Sequence, residues 1–274
     1  MSLVGDGSMW TLLQNSSYLL TKVVMTALSV LGITLAADRF GSVIGGALAG
    51  LPVVVGPAMY FLYRDFGQGF AADASVSSLM SLSATQVFLV VYCIVAQRGA
   101  RISLALASTA WLIAAILLSF LPQRPGLGLL LFVLAALGAR RAVQGLAAAS
   151  PAVVKGRPMS LVLVGARATA AGILVAVTTL AAGRLGSSWS GIIAAYPIGF
   201  SFVILTLHLE LGGAKAIATS HAAMLGLASL ATFAFVLAVT MPVVMAGQAF
   251  ALALIAGTAV TAATCWAASR QRFI

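Results

Sequence analysis

RFGSVIGGALAGLP, residues 39–52, recurs in altered form as RLGSSWSGIIAAYP at residues 184–197. Each stretch opens with Arg-x-Gly-Ser, continues through small residues and closes with a proline. A shift of 145 positions superposes the two, and residues 34–42 then match residues 179–187 at seven of nine positions. The sequence therefore carries an internal duplication, whose meaning depends on the class of protein that contains it.

The same shift holds well beyond the quoted stretch, without a gap, over roughly 70 positions. It pairs charged residues and prolines, which are scarce in this composition: Lys22 with Arg167, Pro52 with Pro197, and Asp65 with Glu210. It also pairs Gly67 with Gly212. Matches between alanines or leucines would arise easily by chance, but matches of charge and proline would not. The duplication therefore extends through several helices.

Composition identifies an integral membrane protein. Of 274 residues, 62% are hydrophobic and 7% charged, with a mean hydropathy of +1.11; soluble domains carry about 25% charged residues. The net charge of +10 sits mostly between apolar runs, where it sets membrane orientation, so no nucleic-acid partner is expected. Cys93 and Cys265 lie inside apolar segments, which argues against a disulfide framework or a cysteine metal site. No cofactor is expected.

Apolar runs of about 20 residues, the length a spanning helix needs, predict nine membrane helices. They lie at 11–37, 42–63, 68–96, 101–121, 126–148, 158–182, 187–208, 213–240 and 246–268. The short connections leave no room for a soluble domain, so residues 1–274 form a single membrane domain. Repeat one covers 11–121, a linking helix 122–150, and repeat two 151–274. The N-terminus lacks the basic region of a signal peptide, and the first segment is expected to be retained.

Five spans from the first segment to the linking helix would place the second copy upside down relative to the first. The weak element is the linking helix, whose apolar run 126–139 covers only about 21 Å of a core of about 30 Å. With nine spans, three cations, Arg64, Arg124 and Arg184, fall on one side. The other side collects ten: Arg39, Arg98, Arg101, Arg140, Arg141, Lys155, Arg157, Lys215, Arg270 and Arg272. Since cytoplasmic loops collect Lys and Arg, we expect an inner-membrane protein with the N-terminus outside and the C-terminus cytoplasmic. Eight spans, with a parallel repeat and an inside N-terminus, is the alternative.

This organisation resembles that of inverted-repeat secondary transporters as a class, in which paired helix interruptions mark a substrate site between the repeats. The interruptions here are Pro52 and Pro197, with Gly50 and Tyr196 beside them. Lys22 and Arg167 are matched cations inside the first helix of each copy, and intramembrane charges tend to face a cavity or a partner. We expect these six residues to bind a small anionic solute, although long cationic side chains can also simply reach the headgroups.

Proton coupling needs groups that titrate, and the candidates are Asp65, Glu210, His208 and His221. The predicted function is a proton-coupled secondary transporter that works by alternating access. Its expected partners are the small-molecule solute, the lipid bilayer and, in a homodimer, a second copy of the chain. A membrane-embedded enzyme, a channel and a lipid-handling protein are the alternatives. No metalloprotease HExxH, GxSxG elbow or Walker sequence supports an enzyme.

Overall fold

A computed structural model describes residues 6–39, 52–148 and 161–270. Within these ranges the elements are all helices joined by short turns, with no strand. The first copy contributes α1 (Asp6–Arg39), α2 (Val55–Phe66), α3 (Gln68–Val95) and α4 (Ala100–Ser119), and a short 3-10 turn, Ala96–Arg98, follows α3. The linking helix is α5 (Pro125–Ala148), and the second copy contributes α6 (Leu161–Ala194), α7 (Ile198–Leu211), α8 (Gly213–Thr240) and α9 (Ala246–Arg270).

Six segments of the described chain are long and apolar enough to cross a membrane, as expected for a helical membrane protein. The predicted helix ends agree closely for α3, α5 and α8, because glycines and prolines mark those ends in the sequence. The predicted boundary between the sixth and seventh helices, at 183–186, contains a break, since Gly186 inside α6 is non-helical. What the sequence did not predict is the second interruption, between Ala194 and Ile198, which divides the predicted seventh helix.

The linking helix is longer than its apolar run suggested. Helix α5 has 24 residues, or about 36 Å at 1.5 Å per residue, which exceeds the hydrocarbon thickness of about 30 Å. It reaches this length by continuing through Arg140 and Arg141 to Ala148. Gly128 near its start faces the Leu79 side chain closely, where a Cβ on the glycine would approach to 3.1 Å. This small residue lets α5 pack tightly on α3.

The duplication is visible in the helix ends. Helices α3 and α8 each have 28 residues, and both ends are displaced by 145 positions. Each begins directly after a glycine with positive φ, Gly67 at 89° and Gly212 at 85°. Residues other than glycine rarely adopt a positive φ angle, so the two glycines allow the same sharp backbone turn in both copies. The sequence register of the repeat is therefore also a register of local structure.

Helices α3 and α8, which are equivalent in the two copies, pack against each other in an antiparallel sense. The Gln86 amide donates to the Met224 carbonyl at 3.3 Å, and the Cys93 thiol donates to the Ile217 carbonyl at 3.9 Å. As the residue number rises along α3, that of its partner on α8 falls. Helix α3 lies at the centre of the bundle, since it packs on α2, α4, α5, α6 and α8.

Helices α1 and α6 are the other equivalent pair in direct contact. A Cβ placed on Gly172 of α6 would lie 2.5 Å from the Val23 carbonyl oxygen of α1, which means that the two backbones touch there. Small residues allow such approaches in membranes, where packing rather than apolar burial drives helix association. The contact places the first helix of each copy side by side.

Candidate substrate site

The second copy is interrupted twice around its quoted stretch. Gly186, with φ 78° and ψ 177°, breaks α6, and the chain leaves the helix again after Ala194 before α7 begins at Ile198. Pro197 is buried and precedes the first residue of α7, with ψ of 50°. Proline has no N–H to donate to a helix, which explains the position of this second break. The result is a half-helix, residues 187–194, followed by a fresh helix N-terminus.

Hydroxyl groups on α3 hold the end of this half-helix. The Ser78 hydroxyl donates to the Gly191 carbonyl at 2.7 Å, and the Ser81 hydroxyl donates to the Ile192 carbonyl at 3.3 Å. Thr85 reaches the Ala195 carbonyl at 3.5 Å, while it also bonds within its own helix. The Gly191 and Ile192 carbonyls already accept the Ala195 backbone N–H, each at 3.2 Å, so the Ser78 and Ser81 hydroxyls give each of them a second donor and tie the half-helix to α3. These three side chains therefore stabilise the break.

Sequence reasoning did not identify this row of hydroxyls. The pattern that could have indicated the row is that Ser78, Ser81 and Thr85 are three and four residues apart, which puts all three on one face of a helix. What the spacing cannot give is the acceptor, because the carbonyls belong to a segment more than 100 residues away.

The closest approach in the site lies beside this row. A Cβ added to Gly191 would fall 2.0 Å from the Ala74 carbonyl oxygen and 2.8 Å from its carbonyl carbon. Only a glycine can occupy such a contact, since both opposing atoms are backbone. Helix α3 and the half-helix are therefore locked together at one level.

Tyr196, one of the predicted site residues, points its ring and hydroxyl at α4. Its hydroxyl lies 3.0 Å from the Ser108 hydroxyl, and its ring meets the Trp111 ring edge-on with centroids 5.0 Å apart. In the described part of the chain, the buried Trp111 indole N–H has no hydrogen-bond partner. The break between α6 and α7 is thus lined by aromatic rings with a free buried donor beside them.

Arg167 lies against the N-terminal turn of α7. Its Nη2 and Nε atoms would be 3.4 Å and 3.6 Å from a Cβ placed on Gly199. No carboxylate within the described ranges forms an ion pair with it. The first N–H groups of a helix lack partners within the helix and carry partial positive charge. A cationic side chain and a helix N-terminus therefore meet at the Pro197 break, which is an arrangement suited to binding an anion.

Lys22, the matched cation of the first copy, has a different environment. Its ammonium group is 2.5 Å from the Asp65 carboxylate, and the Tyr18 hydroxyl donates to the same carboxylate at 2.6 Å. The ammonium also lies 4.5 Å from the centre of the Tyr18 ring and 5.8 Å from that of Phe61. Lys22 is 3% exposed, whereas the Asp65 side chain keeps 18% of its surface. The structure therefore pairs two residues that sequence reasoning assigned to separate roles.

The matched pair of the second copy is not formed. Glu210 occupies the repeat position of Asp65, but it is exposed and makes no ion pair with any described cation. Arg167 instead lies at Gly199, eleven residues before Glu210, or about 16 Å along a helix. The two copies thus hold equivalent cations at different levels of equivalent helices.

The two histidines lie in separate places. His208 is buried, and its Nδ1 is 2.9 Å from the hydroxyl of the fully buried Tyr92. His221 lies on α8 beside Arg140 and Arg141 of α5. Across the described residues, no group of three His, Cys, Asp or Glu side chains could hold a metal ion. Of the remaining predicted residues, Pro52 is buried at the start of the second described range, and Gly50 falls outside the described residues.

Comparisons with protein-family models, with curated proteins and with solved structures find no match to this chain.

Proposed function

We propose that this protein is a secondary transporter that moves a small, anionic organic solute across the cytoplasmic membrane by alternating access. The observation that carries the proposal is the difference between the two copies. Lys22 forms an ion pair with Asp65, while its counterpart Arg167 lies at the N-terminus of α7 and forms no ion pair with a carboxylate of the described chain. Two halves of one architecture in different states are what an alternating-access cycle requires.

An inverted topology supports this mechanism. Equivalent helices of a parallel repeat run in the same direction, whereas those of an inverted repeat run in opposite directions. The contacts between α3 and α8 follow the second pattern. Together with a linking helix long enough to span, this favours nine crossings. The distribution of cations between the two sides then favours the N-terminus outside and the C-terminus in the cytoplasm.

The solute class follows from the charge at the break. Arg167 and the first turn of α7 both present positive charge to the same place, and Tyr196, whose ring packs on Trp111, lies in the break directly before that turn. Carriers commonly aim half-helix N-termini at the anionic group of their substrate. A small organic anion, with its charge at Arg167 and its apolar part against the rings, fits this combination.

Exchange of the two states gives the transport step. In the opposite state the second copy would form the pair Arg167 with Glu210, and the first copy would release Lys22 from Asp65. Protonation of Asp65 removes the charge that attracts Lys22, and so links proton movement to that release. Asp65 and Glu210 are therefore the leading coupling groups, and His208 and His221 are secondary candidates.

Replacement of Arg167 by glutamine should raise the KM for the transported anion at least tenfold, because a hydrogen bond to a charged group contributes about 1.5–3 kcal/mol. The measurement is counterflow in proteoliposomes with a panel of radiolabelled mono- and dicarboxylates. Arg184→Gln is the matched control, since it removes an exposed arginine from the same helix. A KM for Arg167→Gln equal to that of the wild type would contradict the proposed anion site. If the wild-type protein shows no saturable counterflow, the proposal that it is a carrier is wrong.

The topology has its own test, which is the sidedness of the N-terminus. A cysteine at Ser2, in a chain from which Cys93 and Cys265 have been removed, should react with an impermeant reagent in intact cells. Protection until the cells are lysed would instead indicate eight spans and a parallel repeat. In that case the inverted-repeat mechanism would be withdrawn.

The counterflow assay also separates the alternatives. An enzyme acting on a lipid would show turnover without counterflow, and a channel would show flux that does not saturate. A lipid-handling protein would move labelled phospholipid rather than a soluble anion.

A further inference from the structure

A pocket of about 220 Å³ lies between the linking helix and α8, away from the break at Pro197. Its lining is Leu137, Arg140, Arg141 and Gln144 of α5, together with His221 of α8. Within the described chain no carboxylate lines it, and the lining therefore offers two guanidinium groups, an imidazole and an amide without a compensating negative charge. Such a set of cationic groups at the edge of a membrane protein attracts an anionic partner.

Arg140 supplies the second observation. Its Nη1 atom is buried and has no hydrogen-bond partner among the residues that the structure describes. Leaving a charged donor unsatisfied costs more than leaving a neutral one, and a guanidinium group is shaped to bind carboxylate or phosphate oxygens through two parallel hydrogen bonds. The unpartnered donor therefore indicates an oxyanion.

The surface beside the pocket indicates where that oxyanion comes from. Four exposed apolar side chains follow one face of α5 at helical spacing: Leu130, Val133, Leu134 and Leu137. The same face continues into Arg141 and Gln144, which are also exposed. A lipid-facing stripe that turns cationic in this way matches the boundary between acyl chains and headgroups.

We propose that this pocket binds a phosphate-type oxyanion, the headgroup of an anionic phospholipid whose acyl chain lies along the apolar stripe of α5. Arg140 and Arg141 bind the phosphate oxygens, and Gln144 and His221 complete the wall. The pocket volume of about 220 Å³ is several times the roughly 30 Å³ that one water molecule occupies in the liquid. It therefore has room for a phosphate group, while the rest of the lipid lies outside. Free phosphate shares this chemistry and is the other source.

The test is native mass spectrometry of the purified protein, titrated with phosphatidylglycerol or phosphatidylcholine. Arg140→Gln/Arg141→Gln should weaken phosphatidylglycerol binding at least tenfold, since it removes two charge-assisted contacts. The matched control is Arg98→Gln/Arg101→Gln, which removes two exposed arginines elsewhere and should change the affinity less than twofold. If the pocket double variant fails to fold, the exposed Arg141→Gln alone should lower the affinity severalfold.

Competition with inorganic phosphate separates the two sources. Displacement of phosphatidylglycerol by millimolar phosphate, with phosphate binding lost in the pocket variant, would assign the site to a free anion. Undisplaced binding that favours phosphatidylglycerol over phosphatidylcholine would assign it to the lipid. Wild-type binding of both probes in the pocket variant would overturn the proposal. Because these assays measure binding without transport, their outcome is independent of whether the protein is a carrier.

Discussion

Gly191→Ala should destabilise the folded protein by about 3 kcal/mol, the upper end of the usual cost of overpacking. The added Cβ would fall 2.0 Å from the Ala74 carbonyl oxygen, and an opposing backbone atom cannot turn aside as a side chain can. Helix α3 and the half-helix would have to separate. The hydrogen bonds from Ser78 and Ser81 to that half-helix would then lengthen as well.

The measurement is the thermal unfolding midpoint of the purified protein in detergent, with Gly226→Ala as control. A Cβ on Gly226 meets nothing within 4 Å, and alanine favours a helix over glycine by up to about 1 kcal/mol. The control should therefore be as stable as wild type or slightly more so. An unchanged midpoint for Gly191→Ala would show that the contact between α3 and the half-helix is looser than this geometry requires.

Asp65→Asn should also destabilise the protein by about 3 kcal/mol, because it leaves the buried Lys22 ammonium without its counter-charge. Lys22 is 3% exposed, and the neutral asparagine and the Tyr18 and Phe61 rings, which lie near the ammonium in the described chain, carry no full negative charge. The carboxylate itself is 18% exposed, which puts the expected loss at the lower end of the range for buried pairs.

Removal of both charges in Lys22→Met/Asp65→Asn should recover most of the lost stability, since an apolar replacement of a buried pair is often neutral. Asp73→Asn is the control, because it removes a carboxylate from an exposed residue outside any ion pair of the described chain. If the single and double variants unfold at the same temperature, Lys22 does not depend on Asp65 for its burial. The ion pair between Lys22 and Asp65 would then not stabilise the state in which the two copies differ.

The sequence by itself determined the membrane class, most helix ends and the register of the duplication. Each of these depends on local physics. Apolar length sets a spanning helix, glycine permits the positive φ at Gly67 and Gly212, and proline removes the donor that would have joined α6 to α7. A shift of 145 positions then carried the ends of α3 directly onto those of α8.

Only the tertiary structure decided which of the matched residues have partners. Lys22 and Arg167 are equivalent in sequence, yet one is paired with Asp65 and the other lies at Gly199. The same holds for Ser78, whose acceptor is a distant carbonyl, and for Arg140, which opens onto a pocket with His221. The physical reason is that the level at which one helix meets another is set by close packing at a few small residues, such as Gly172 and Gly191. That level determines every side-chain contact along the two helices, and no local pattern encodes it.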